Sequence, residues 1–218
     1  MTRIWDLPTR LFHWSVAVLV AFSIVSAHLG GNWIDWHMRS GICILALVVF
    51  RILWGFAGPF HARFANFLRP PAVVLAYVRA MRQGDAAAPA AQAGHNPLGA
   101  LSVIAMIAIL LLQASTGLFS NDSISSEGPL AKFVSSATSD FVTRIHKLDQ
   151  YLIYLLIAAH VGAIVYYAAA KRDNLVRPML TGDRPGTGLI ASRDDWAIRL
   201  RALVLLAIAF TLAGLLYR

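Results

Sequence analysis

The stretch "RIHKLDQYLIYLLIAAH", residues 144–160, carries two histidines fourteen residues apart with an almost uninterrupted apolar run between them. At 1.5 Å rise per residue, a helix through it sets the two imidazoles about 21 Å apart along its axis. Fourteen steps of 100° fall about 40° short of four turns, so both rings face much the same side. One helix therefore offers an imidazole at two depths, and the fold follows from what it must pack against.

Composition identifies the solvent. Of the 218 residues, 58% are hydrophobic and 14% charged, and the mean hydropathy is +0.62, whereas a soluble domain is about a quarter charged. This is the composition of an integral membrane protein. About 20 apolar residues cross roughly 30 Å of hydrocarbon, and four runs meet that need, over 11–34, 38–60 with one interruption at Arg51, 97–120 and 147–170. In the last of these the charge-free part begins at Gln150. A fifth run, within 197–218, is shorter, and Arg199 and Arg201 extend it by snorkelling. The expectation is an all-α membrane protein: a four-helix bundle over 1–182, a cytoplasmic linker over 183–196 and a fifth transmembrane helix over 197–218.

Basic residues set the orientation. With a cytoplasmic N-terminus, 14 of the 19 Lys and Arg lie inside and 5 outside, and the external C-terminus follows if the fifth run crosses. The net charge of +8 is spread over short loops, which suits lipid headgroups and gives nucleic acid no continuous basic surface. The segment "SIVSAH" has small residues of the kind found at signal cleavage sites. The first run nevertheless reads as a retained span, because it starts almost at once, contains His13 and Trp14 and is needed for the alternation. Cys43, the one cysteine, permits neither a disulfide nor a C-x-x-C-H attachment.

Between the second and third spans, "PPAVVLAYVRAM" reads as a proline-started interfacial helix and "GDAAAPAAQAG" (84–94) as a small-residue linker. The external loop from Asn121 to Asp140 carries more acid than base and has room for a short helix near 129–135. His61 and His95 fall in the cytoplasmic connection and read as solvated loop residues. Trp33 and Trp36 read as part of an aromatic belt at the external face.

The other five histidines, His13, His28, His37, His146 and His160, lie in or beside spans, where an imidazole is costly unless satisfied. The topology sorts them by depth. His13 and His160 share an inner level, while His37 and His146 share an outer one with His28 nearby. Two imidazole pairs at two depths suit two stacked bis-histidine haems, since bundles build cofactor sites from facing helices. One haem, or structural histidines, remain open on spacing alone. A zinc or copper site needs more ligands at one level, and a proton relay needs acids that the charge-free runs lack.

The segments "WDLPTRLFHW" (5–14), "DWHMRSG" (35–41) and "RIHKLDQYLIYLLIAAH" followed by "KRDNLVRPM" (171–179) resemble the bacterial cytochrome b561 family, which includes the b-type cytochrome subunits of nickel-iron hydrogenases. The resemblance covers about residues 4–182. It implies two noncovalent b haems, with His13 and His160 ligating the inner one and His37 and His146 the outer one. His28 competes with His37 for the outer iron, and His37 is favoured because Gly41, four residues on, leaves room for a porphyrin. Gly117 in the third span is a candidate for the same close approach, with an ordinary helix-packing glycine as the alternative. Arg10 beside the inner ligands, and Arg39, Arg144 and Lys147 beside the outer ones, are candidates to pair with propionates or to anchor at the interface. Arg51 needs a partner, either a propionate or a quinone pocket.

The implied function is electron transfer across a bacterial inner membrane, between a periplasmic redox partner and the quinone pool, ubiquinone or menaquinone. The partner would be a c-type cytochrome or a hydrogenase or dehydrogenase subunit. The competing expectation is a self-contained superoxide:quinone oxidoreductase, with Arg39, Arg144 and Lys147 drawing in the anion.

Overall fold

The computed structural model describes residues 1–83, 94–123 and 126–217. The 84–93 part of the small-residue linker lies outside them. In chain order the elements are β1 (Thr2–Arg3), α1 (Leu7–Leu29), α2 (Trp33–Ala57), α3 (Phe64–Phe67), α4 (Pro71–Arg82), α5 (Pro97–Gly117), a 3₁₀ turn (Ala131–Phe133), α6 (Ser136–Ala170), α7 (Val176–Thr181), β2 (Asp183–Arg184) and α8 (Trp196–Leu216). Five of the helices, α1, α2, α5, α6 and α8, are long and apolar enough to cross a membrane. The all-α membrane fold and the fifth helix are both present.

Local chemistry sets most helix starts. Asp6 accepts from the Thr9 amide at the head of α1, Asn96 from Gly99 at α5, Ser135 from Thr138 at α6 and Asp195 from Ile198 at α8. Each carboxylate, amide or hydroxyl oxygen satisfies one of the amides that a helix start leaves unpaired. Pro8 and Pro97 fall in first turns, where no amide hydrogen is needed.

The boundaries differ from the expected spans for identifiable reasons. Gly30 and Gly31 adopt φ of +63° and +54°, a left-handed conformation that favours glycine. They stop α1 at Leu29 and let α2 begin at Trp33, so His37 sits one turn inside α2. Asp149, placed just before the charge-free run, lies well inside α6 and is 3% exposed; the expectation that no acid enters a span is corrected. At 35 residues α6 is about 52 Å long, more than the hydrocarbon needs. In the external loop the expected short helix is the 3₁₀ turn.

The closely packed helix pairs are α1 with α2, α5 with α6, α2 with α5, and α2 with α8. The pair α1 and α6 is not among them, although these two carry the inner histidines. α8 packs on the back of α2, where Phe50, Trp54 and Ala62 meet Ile198, Ala202 and Ala209. The alanines permit close approach, as small residues do between membrane helices. α2 is thus sandwiched, and its other side faces the bundle.

The N-terminus is clasped to the segment ahead of α8 at the inner end. β1 pairs antiparallel with β2, and Arg3 contacts Asp183 at 2.7 Å and Asp194 at 2.6 Å. Asp194 also takes the Leu7 amide and the Arg199 guanidinium, both at 3.2 Å. Burial pushes the Asp194 carboxyl up, but these hydrogen bonds outweigh it and hold it below the ordinary carboxylate range. The 183–196 segment is therefore an ordered part of the fold rather than a free linker. The interfacial helix α4 forms as expected and is tied down by Tyr77, whose hydroxyl meets that of Tyr167 at 2.9 Å, while the Asn96 amide donates to Tyr167 at 2.6 Å.

Candidate functional site

The two expected histidine levels are both assembled. His13 of α1 and His160 of α6 bring their rings to 6.1 Å between centroids, and His37 of α2 and His146 of α6 do the same at 6.1 Å. Two imidazoles bound to one metal through bonds of about 2.0–2.1 Å have centroids roughly 6 Å apart. Both pairs fit that requirement. His28 does not join them. It is exposed, and its Nδ1 lies 2.8 Å from the Ile24 carbonyl of its own helix.

The outer pair is held in a defined orientation. His37 Nδ1 lies 2.9 Å from the Ser23 carbonyl, and His146 Nδ1 lies 2.9 Å from the Gln113 carbonyl. In the tautomer that satisfies those carbonyls, Nδ1–H donates and Nε2 keeps its lone pair, the arrangement usual behind a metal-ligating histidine. Gly117 makes this possible for His146. A Cβ at Gly117 would sit 3.1 Å from His146 Cε1, so the ring lies against bare backbone.

A cavity of about 360 Å³ opens beside the outer pair, lined by α1, α2, α5 and α6. Gly41 is on its wall with no atom within 4 Å of where a Cβ would be. The open space expected at Gly41 is there. Lys147, Asp122 and Glu127 also line this cavity. Among the described residues, no three of His, Cys, Asp and Glu converge as a metal cluster would require, which leaves the pairwise arrangement.

The flanking cations divide. Arg39 is exposed, its guanidinium 5.1 Å from the Trp36 ring. Arg10 donates to the Leu180 carbonyl at 2.6 Å, while its Nε is buried without a partner. Arg51 is 3% exposed.

Two residues read as solvated are corrected. His61 is 7% exposed and its Nε2 lies 2.7 Å from the Ile190 carbonyl. His95 is wedged between Trp5 and Phe67, each 4.8 Å between ring centroids, and its Nδ1 is buried and unpartnered. Burial, with Arg51 and His61 nearby, pushes the His95 imidazole down to about 3. The aromatic flanks come from the far N-terminus and from α3, so no local pattern announces them.

Gln113 went unnoticed in the sequence, and Asp149 stood there only as an acid near the histidines, with no role given to it. Gln113 also reaches the ring itself: with its amide nitrogen towards His146 Nε2 it donates to that lone pair at 3.2 Å, whereas the opposite orientation, which donates to an Asp149 carboxylate oxygen and to the His146 carbonyl at 3.0 Å, requires the Nε2–H tautomer of His146. Asp149 follows His146 by three residues, which places it on the same helix face. That spacing was the available signal.

No solved structure matches the chain. A curated relative, from Rhizobium leguminosarum bv. viciae and named "Probable Ni/Fe-hydrogenase B-type cytochrome subunit", is 25% identical over 232 aligned residues, covering 88% of this chain and 90% of the relative. The family described as prokaryotic cytochrome b561 matches residues 4–182, the stretch that contains all four paired histidines and the bundle that positions them, and the chain belongs to that family of membrane b-type cytochromes.

Proposed function

We propose that this membrane cytochrome carries single electrons across the bacterial inner membrane through two b haems, one held by His13 and His160 and the other by His37 and His146. The single observation that carries the reading is the pair of 6.1 Å histidine couples, set fourteen residues apart on α6. Haem supplies a one-electron iron couple when bound, and the protein sets its ligands, spacing and burial. The backbone carbonyls of Ser23 and Gln113 hold the outer rings in place, which lowers the ordering cost of ligation. Gly41 and Gly117 keep side chains out of the space beside them.

The proposed route runs between the quinone pool, ubiquinone or menaquinone, and a periplasmic redox partner. The Rhizobium relative's name points to a hydrogenase as the partner class, and a c-type cytochrome has the same one-electron chemistry. The distribution of Lys and Arg supports a cytoplasmic N-terminus. The domain limits proposed are 1–182 for the haem bundle, 183–196 for the clasped connection and 197–218 for the fifth span. A stand-alone superoxide:quinone oxidoreductase is less well supported, because Asp122 and Glu127 share the outer cavity with Lys147 and offset its pull on an anion.

Pyridine haemochrome assay of the purified protein tests the core. Two b haems per chain are expected, with one lost in His146→Ala and the other in His160→Ala. No haem in the wild type, or full retention in the double variant, would refute the reading.

A further inference from the structure

Arg51 is the charge that the two histidine pairs do not explain. It follows His37 on α2 by fourteen residues, as His160 follows His146 on α6. The same arithmetic therefore sets it about 21 Å deeper than His37 and within 40° of the same helix face, at the inner level. It is 3% exposed. Among the described residues it has no hydrogen bond or ion pair, its Nη1 is enclosed without a partner, and its guanidinium rests 5.1 Å from the Phe64 ring. A guanidinium stays protonated in proteins, and within a membrane it calls for a counter-charge.

No neighbour supplies one in contact. Asp6 attracts the guanidinium from a distance, but its oxygens accept from the Thr9 amide, the Thr9 hydroxyl and Trp54 Nε1, at 2.9, 2.8 and 3.1 Å, and not from Arg51. His95, a further titratable neighbour, is repelled by the guanidinium and supplies no counter-charge. His95 adds a second orphan, its enclosed Nδ1. A quinone head-group is neutral and would leave the guanidinium uncompensated, and a lipid phosphate has no path to a side chain so enclosed.

We infer that Arg51, with His95 beside it, binds a propionate carboxylate of the haem held by His13 and His160. The inference rests on the two-haem reading. A carboxylate matches the guanidinium in charge and in its two-point geometry.

The test uses the full-length haem-loaded protein, with redox titration of both haems between pH 6 and 8 and a haem count. In Arg51→Gln the outer haem keeps its potential. The inner haem's reduced-to-oxidised ratio at a fixed potential falls on the order of tenfold, the effect of one uncompensated charge roughly 10 Å away at an effective dielectric near 20. That is 59 mV for a one-electron couple. The inner potential also becomes pH-dependent, as the unpaired propionate takes up a proton on reduction, and Arg51→Lys restores most of both properties. Unchanged inner potential and pH profile in Arg51→Gln, or equal shifts in both haems, overturn the inference. If Arg51→Gln loses the inner haem, wild-type protein is loaded with haem dimethyl ester. Inner-site loading at least tenfold weaker than outer-site loading supports the inference, and equal loading overturns it. Fewer than two haems in the wild type refutes the underlying two-haem reading instead.

Discussion

Substituting Gly41 sets two effects against each other with opposite signs. Gly41 sits inside α2, and a Cβ there meets nothing within 4 Å. By helix propensity alone, Gly41→Ala stabilises the apoprotein by up to about 1 kcal/mol, and Gly41→Leu by nearly as much. Both side chains project into the cavity of about 360 Å³ beside His37 and His146. If that space receives a porphyrin, the added atoms overlap it, and overpacking costs about 1–3 kcal/mol even where neighbours yield. For leucine the penalty exceeds the propensity gain. The expected outcome for Gly41→Leu is an apoprotein melting at or above the wild type, a haem count falling from two towards one, and an inner-haem potential that does not move. Differential scanning fluorimetry in detergent and a haemochrome assay read the two quantities separately. Two haems with unaltered potentials in Gly41→Leu would show that the cavity beside the outer histidines is not a haem pocket.

Further outcomes follow from the same structure. Gly117→Ala brings a methyl 3.1 Å from His146 Cε1, displaces the ring by a few tenths of an ångström, and should shift the optical and redox signature of the outer haem alone. His95, held down to about 3, remains neutral in the fold but takes a proton below about pH 6.5 once unfolded. The apoprotein should therefore lose stability as pH falls from 6.5 towards 3, by up to about 5 kcal/mol at ~1.4 kcal/mol per pH unit. Melting curves of His95→Phe should be flatter across that range. Asp194→Asn weakens the clasp to Arg3, Arg199 and the Leu7 amide by about 2 kcal/mol. Because Asp194 is held below its ordinary range, the wild-type advantage is full above about pH 4 and fades as pH falls through the depressed value, which a pH series of urea unfolding midpoints would show.

The paired histidines were legible because helix geometry is regular: fourteen residues fix both a depth and a face without any knowledge of neighbours. Gly41 was legible for the same reason. His61 and His95 were not, since a connection looks polar until Trp5, Phe67 and the Ile190 carbonyl close over it. Asp149 was placed outside the span because an apolar run measures the thickness of lipid, whereas α6 continues well beyond it as helix. The ends of α1 and α2 blurred for a related cause. Two glycines and an asparagine turn the chain in a space too short to interrupt the hydropathy.

The clasp at the inner end bears on how the molecule is made. Arg3 leaves the ribosome almost first, yet its partners Asp183 and Asp194 lie 180 and 191 residues later. The four histidines can all be synthesised, and α1, α2, α5 and α6 inserted, before that contact can exist. His13 follows the clasp by less than three turns of α1. Until the approach to α8 has been translated, the start of α1 is tied only to α2, through Asp6 and Trp54, and lacks the clasp, whereas the outer pair is already braced by carbonyls from α1 and α5. Assembly therefore runs from the outer site to the inner one, and a nascent chain stalled before Asp183 should capture cofactor at the outer level first.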